Sequence, residues 1–125
     1  MGYTFLAMVL NFVLEVITNG KIPTVRVKGE IDIYSCPRLN SAFSEILQKG
    51  YKQFILNLEN IQYLDSTGLG TIAHIARTLY EQEGVLFLVC SKPQIRKIFE
   101  ISGLNKKNIL LFHEENEVFQ SISPQ

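Results

Sequence analysis

Three short strand-like segments, each followed by residues at helical spacing, constrain the fold of this 125-residue chain more than anything else in it. Phe54-Ile55-Leu56-Asn57-Leu58 and Val85-Leu86-Phe87-Leu88-Val89 are short, apolar and bounded by polar residues, which is the signature of buried strands. Thr24 to Val27 reads as a further strand. It is preceded by a strand from Asn11 to Ile17, a turn signal at Asn19-Gly20, and Pro23 at a position suited to a strand start or edge. Between the strands the period changes. Leu39, Ala42, Phe43, Ile46 and Leu47 form one face of a helix from about Pro37 to Gln48, with Ser35 or Cys36 as its cap and Gly50 just past its end. Leu69, Ile72, Ala73, Ala76, Leu79 and Tyr80 do the same over Thr67 to Gln82, and Gly84 ends the following turn. Ser91-Lys92-Pro93-Gln94 reads as a capping box opening a helix that ends near Ser102-Gly103. Ile109 to Phe112 is expected as a last short strand, and Glu114 to Ser121 as a final helix with acids at its start.

Strand and helix alternate from Thr24 onward, so the central strands are expected to be parallel and joined by right-handed crossovers. The expected architecture is a single-layer α/β fold: a mainly parallel central sheet with an antiparallel N-terminal edge, covered by about four helices. No internal repeat or low-complexity linker interrupts it.

Composition narrows the function. Hydrophobic residues make up 46% of the chain and charged residues 19%, which suits a globular domain with one core. Twelve basic and twelve acidic residues leave formal charge zero, so no excess field is available to hold nucleic acid or an anionic membrane. Cys36 and Cys90 have no CxxC or Cys/His ligand spacing, so they read as reduced core or cap residues, as expected of a cytoplasmic protein, rather than zinc ligands or a disulfide. No cofactor or metal is expected.

Residues 1–10 are an apolar extension ahead of a domain expected over 11–122. Met1 to Leu14 lacks a basic leader and a small-residue cleavage site and is too short to span a bilayer as a helix. Leu6 stands where a myristoylation motif wants Ser or Thr. Two readings stand: an extra edge strand or dimer-forming arm, with Tyr3, Phe5 and Leu6 packed on the sheet or on a second copy, or a start placed upstream of Met8. The first is favoured, because a free apolar arm invites aggregation. The chain is expected to be a monomer or weak homodimer.

The chemistry concentrates at Leu64-Asp65-Ser66-Thr67-Gly68-Leu69-Gly70, where a strand pattern gives way to a helix pattern. Free backbone N–H groups and the positive end of the helix dipole favour negative charge there, so a hydroxyl is suited both to cap the helix and to accept a phosphate. Gly68 and Gly70 lie inside the helix pattern, where each costs roughly 1 kcal/mol relative to Ala. Such glycines usually permit a close approach of packed backbone or of a partner.

Enzyme motifs are missing. Leu64 stands where a nucleophile elbow needs glycine, Thr71 where a phosphate-binding loop needs lysine, and His74 and His113 have no partner at ligand spacing. Glu114 and Glu115 are adjacent and suit a helix start better than acid/base chemistry.

The chain resembles the anti-sigma factor antagonists, single-domain members of the STAS superfamily, from roughly Phe12 to Ser121. The resemblance rests on Gly29-Glu30-Ile31-Asp32, which matches the family's turn between the second strand and the first helix, and on Asp65-Ser66-Thr67-Gly68-Leu69-Gly70, which matches its phosphorylation loop without substitution. Leu56-Asn57-Leu58, Ser91-Lys92-Pro93 and Ser102-Gly103-Leu104 follow in family order. The resemblance implies a STAS fold and a regulatory protein that is not an enzyme. Its unphosphorylated form would bind an anti-sigma factor that is also a serine kinase, releasing a sigma factor; phosphorylation of Ser66 would end the binding, and a serine phosphatase would restore it. Asp32, Asp65, Ser66, Thr67 and Gly68 would form the partner surface. The alternative is a constitutive scaffold or a nucleotide-binding module whose DSTGLG loop holds a phosphate at the helix start.

Overall fold

In the computed structural model the described residues are 3–9, 11–18, 22–104 and 107–122, with 3–9 as backbone only. The strands are β1 (Tyr3–Val9), β2 (Phe12–Thr18), β3 (Thr24–Ile31), β4 (Gln53–Leu64), β5 (Val85–Val89) and β6 (Ile109–Phe112). The helices are α1 (Cys36–Gln48), α2 (Ser66–Glu81), α3 (Pro93–Ser102) and α4 (Glu115–Ile122). All six strands lie in one sheet in chain order. β1 pairs antiparallel with β2, and β2 with β3, whereas the β3–β4, β4–β5 and β5–β6 pairs are parallel. The α/β class, the parallel centre and the antiparallel N-terminal edge are those expected from the alternation of patterns. Residues 3–9 form an edge strand; the packing expected for Tyr3, Phe5 and Leu6, and the Asn19-Gly20 turn, lie outside the described residues.

Because the parallel strands follow one another in chain order, each right-handed crossover moves the same way along the sheet. α1, α2 and α3 therefore pack on one face. There Phe12, Leu14, Phe54, Leu56, Leu58, Leu86 and Leu88 meet Leu39, Phe43, Ile72, Ile75, Leu79 and Phe99. The alternate residues Ile55, Phe87 and Val89 face the other side, where Val118 of α4 covers them. α4 is anchored to that face by charge. Arg26 donates from Nε and Nη2 to the Glu115 carboxylate at 2.9 and 2.8 Å, and Asn57 Nδ2 donates to it at 2.6 Å. The hydrogen bond from Arg26 holds the Glu115 carboxyl below its ordinary value of 4.5, against the opposing effect of burial.

A pH dependence follows from that shift. A carboxyl depressed in the folded state stabilises the fold above its unfolded pKa, and the contribution is lost as pH falls through the lower folded value. Melting temperature between pH 6 and pH 3 should fall less steeply in Glu115→Gln than in the parent chain; parallel curves would show that this anchor does not govern acid stability.

Both β3 and β4 run further than the sequence pattern indicates. Gly29-Glu30-Ile31, expected in a turn, is the end of β3, and β4 continues six residues past Leu58. The reason is mutual pairing: Lys28 lies opposite Asn60, Gly29 opposite Ile61 and Ile31 opposite Leu64, with register shifts on either side of the Lys28–Gly29 pairs. Gly29 has φ +102°, and a Cβ there would stand 2.1 Å from the Asn11 carbonyl oxygen, so glycine is required for β3 to bend past the end of β2. The turn itself is Asp32 to Ser35.

The expected capping box at Ser91 is not formed. Lys92 is the N-cap residue of α3 and makes no side-chain cap bond. The Ser91 hydroxyl and backbone N–H both bond instead to Glu59, at 2.5 and 2.6 Å, where a full carboxylate outcompetes a neighbouring amide. Tyr80, expected on the buried stripe of α2, is half exposed, while Ile75 is fully buried.

Candidate functional site

Parallel pairing of Ile31 with Leu64 ends β3 and β4 side by side, so the residues that follow, Asp32 and Asp65, emerge at the same edge of the sheet. The Asp65 N–H donates to the Ile31 carbonyl at 3.4 Å, tying the two loops together. Asp32 organises its own turn. Its Oδ1 accepts from the backbone of Tyr34 at 2.9 Å and of Ser35 at 3.1 Å. The Ser35 hydroxyl accepts from the Asp32 N–H and donates to the Glu30 carbonyl, both at 2.9 Å, so Ser35, the expected N-cap residue of α1, locks the turn with its hydroxyl instead of making a side-chain cap bond. This is the turn-forming role that Asp takes through its short side chain.

Asp65 is the N-cap of α2. Its backbone is extended (φ −96°, ψ −175°), Oδ1 accepts from the Gly68 N–H at 2.9 Å, and its carbonyl accepts the first helical bond from Leu69 at 2.9 Å. Ser66 and Thr67, both suited by chemistry to cap, are instead the first two helical residues, and both are exposed. The Ser66 hydroxyl makes no hydrogen bond within the described residues. Gly68 is not part of the surface: a Cβ there would come within 2.7 Å of the Ile31 carbonyl oxygen and the Leu64 side chain. The close approach it permits is that of α2 to β3, whereas Gly70 is exposed with nothing within 4 Å of an added Cβ.

Beneath the two loops lies the Cys36 thiol. Burial pushes it up, a contact with the Thr71 hydroxyl opposes that, and the Asp65 and Asp32 carboxylates add to the upward shift. Such a thiol stays protonated and inert. Above it the surface is partly apolar, with Ile33 62%, Tyr34 80% and Tyr63 50% exposed. Periodicity could not flag Ile33 and Tyr34, which lie outside any strand or helix. The available signal was two large apolar residues inside an Asp-to-Ser turn, where solvent-seeking residues are the norm.

Asp32, Asp65, Ser66 and Thr67 are thus gathered at one end of the sheet, with Gly68 as the packing residue behind them. Elsewhere, His74 is exposed on α2, and His113 Nδ1 lies 4.0 Å from Glu117. Among the described residues no three His, Cys, Asp or Glu side chains converge as metal ligands, and no helix is long and apolar enough to cross a membrane.

Known proteins resemble this chain in sequence and in fold. A model of the STAS domain family matches residues 13–122. The anti-sigma-B factor antagonist of Staphylococcus aureus (strain NCTC 8325 / PS 47) is 34% identical over 109 residues, spanning 87% of this chain and 99% of the relative. The protein of the same name from Staphylococcus epidermidis is 32% identical over the same shares. Among solved structures, an anti-sigma factor antagonist from Mycobacterium paratuberculosis superposes with a TM-score of 0.73 at 20% identity, covering 98% of this chain and 94% of that one. The unphosphorylated form of the anti-sigma factor antagonist SpoIIAA gives 0.66 at 21% identity, with 96% and 97% covered. The two solved structures match in fold, and the family model and the sequence relatives settle the membership: this chain belongs to the STAS domain family, in the group that contains the anti-sigma-B factor antagonists.

Proposed function

We propose that this protein is an anti-sigma factor antagonist of the cytoplasm, switched by phosphorylation of Ser66. Unphosphorylated, it binds an anti-sigma factor that is also a serine kinase and so releases a sigma factor. The kinase phosphorylates Ser66 and the complex parts; a serine phosphatase restores the binding form. The chain is a substrate in this cycle and performs no chemistry itself.

The observation that carries the proposal is the Ser66 hydroxyl: exposed, unbonded among the described residues, and held on the first turn of a helix whose cap is supplied by its neighbour. A kinase can reach it without unfolding anything. The modification adds about −1.5 to −2 charges, and the helix dipole offsets roughly 0.3–1 kcal/mol of the cost, so the free protein tolerates it. In a complex the dianion sits beside the Asp65 carboxylate with water removed. Like charges about 4 Å apart repel by roughly 4 kcal/mol at an effective dielectric near 20, equivalent to about a thousandfold in affinity. Charge alone suffices to break the complex, and no conformational change is required.

The Asp65 cap also weighs against a nucleotide phosphate at the helix start, since it occupies one backbone donor and repels the anion.

Incubation with the cognate kinase and Mg-ATP should place one phosphate on Ser66 and none on Thr67. Thr67 is exposed as well, so exposure alone does not choose between them. Tandem mass spectrometry decides it; phosphate found chiefly on Thr67, or retained in Ser66→Ala, would reject Ser66 as the acceptor.

A further inference from the structure

Away from the Ser66 loop, a cleft of about 370 Å³ opens between α2 on one side and Gly103, Leu104 and Lys107 to Ile109 on the other. That volume falls within the range of small-molecule sites, roughly 300–1,000 Å³. Its wall is apolar because small residues, Ala73 and Ala76, face Leu104 and Ile109. Its rim is cationic. Arg77 and Lys107 line it together with Tyr80, and among the described residues no carboxylate does, although the chain as a whole carries as many acids as bases. Lys107 Nζ stands 5.5 Å from the centre of the Tyr80 ring, so this cation is poised over an aromatic face at the mouth.

The cleft is also braced from within. Asn108 Nδ2 donates to the Ala76 carbonyl at 2.8 Å and to the Gly84 carbonyl at 3.1 Å, and the Asn108 carbonyl accepts from the Leu86 N–H at 2.8 Å. This side chain therefore fixes the spacing between the two walls, and a ligand meets a preformed site rather than one it must order.

We infer that the cleft binds a small amphiphilic anion: one carboxylate or phosphate monoester on a short apolar body. The head group is held between Arg77 and Lys107, and the body lies on Ala73, Ala76, Leu104 and Ile109. Either head group suits the guanidinium, which offers paired donors to two oxygens. Ala73 lies seven residues along α2 from Ser66, about 10 Å at the rise of an α-helix, so the site lies apart from the Ser66 loop.

Titration of the ¹⁵N-labelled full chain with hexanoate and hexyl phosphate, followed by amide chemical shifts, tests this. One or both probes should saturate at one site, with shifts centred on Ala73 to Tyr80, Gly103, Leu104 and Lys107 to Ile109, and the comparison shows which head group is preferred. 1-Hexanol and inorganic phosphate, each carrying half of the chemistry, should bind at least about tenfold more weakly. The double variant Arg77→Gln, Lys107→Gln should lose about tenfold for the anionic probes while keeping its melting temperature, as both positions are exposed. Ala73→Leu, which fills the cleft, should abolish binding, and if it unfolds the double variant still decides. Equal affinity for hexanol, undiminished affinity in the double variant, shifts elsewhere on the surface, or failure of both probes to saturate would overturn the inference. None of these outcomes depends on the kinase, so the cleft and the Ser66 switch stand or fall separately.

Discussion

Replacing Ser66 with Asp is expected to leave the fold intact and to weaken binding of the partner kinase by about a thousandfold, while Ser66→Ala keeps binding and loses regulation. The first substitution places one negative charge on the opening turn of α2, where the dipole tolerates it, so stability should shift by less than about 1 kcal/mol. Inside the proposed complex that charge would be desolvated next to Asp65, a cost the free protein never meets. Ser66→Ala adds no charge. Ser66 is not the cap, so the alanine variant should cost no more than about 0.5 kcal/mol, as at other exposed positions. The capping penalty of about 0.5–2 kcal/mol belongs to Asp65→Ala. Chemical denaturation and calorimetric titration of the three variants against the kinase would display the pattern. If Ser66→Ala bound as poorly as Ser66→Asp, the hydroxyl itself would be the contact, and the charge mechanism would be wrong within an unchanged family.

The two glycines of the loop should respond in opposite directions. Alanine at either position gains helix propensity of up to about 1 kcal/mol. At Gly70 nothing opposes that gain, because an added Cβ has no neighbour within 4 Å, so Gly70→Ala should be neutral or stabilising. At Gly68 the methyl meets the Ile31 carbonyl oxygen at 2.7 Å and the Ile31 Cγ2 at 2.8 Å. That carbonyl belongs to β3 and accepts from the Asp65 N–H, so it cannot retreat without parting the two loops. Overpacking of this kind costs about 1–3 kcal/mol, enough to outweigh the propensity gain. Gly68→Ala should therefore be less stable in urea, with the Asp32 turn displaced from Ser66 and kinase binding reduced. Gly70→Ala provides the complementary reading. A stable variant that no longer binds would place the partner's backbone against Gly70, whereas unaltered binding would leave that glycine without a role in the interface.

Element order, helix positions and the parallel centre of the sheet were legible in the sequence because periodicity is a local property: Phe54 to Leu58 is apolar without interruption, and Leu39 to Leu47 repeats at helical spacing. The acidic and hydroxyl residues of the loop were legible for the same reason, since Asp, Ser and Thr collect where helices begin. Which of the three caps was not. Asp65, Ser66 and Thr67 are chemically interchangeable as caps, and the choice fell to Asp65 because β4 pairs with β3 as far as Leu64 and so sets the point at which α2 can start. Glu59, 32 residues away in sequence, likewise took Ser91 from the capping box that its neighbours spell. The role of Gly68 also came from afar, from the carbonyl of Ile31 on an adjacent strand. Periodicity determined what each segment would become. The tertiary structure alone decided which polar group serves which partner, because a carboxylate or carbonyl brought close by strand pairing competes with every local hydrogen bond, and nothing in the intervening sequence announces its arrival.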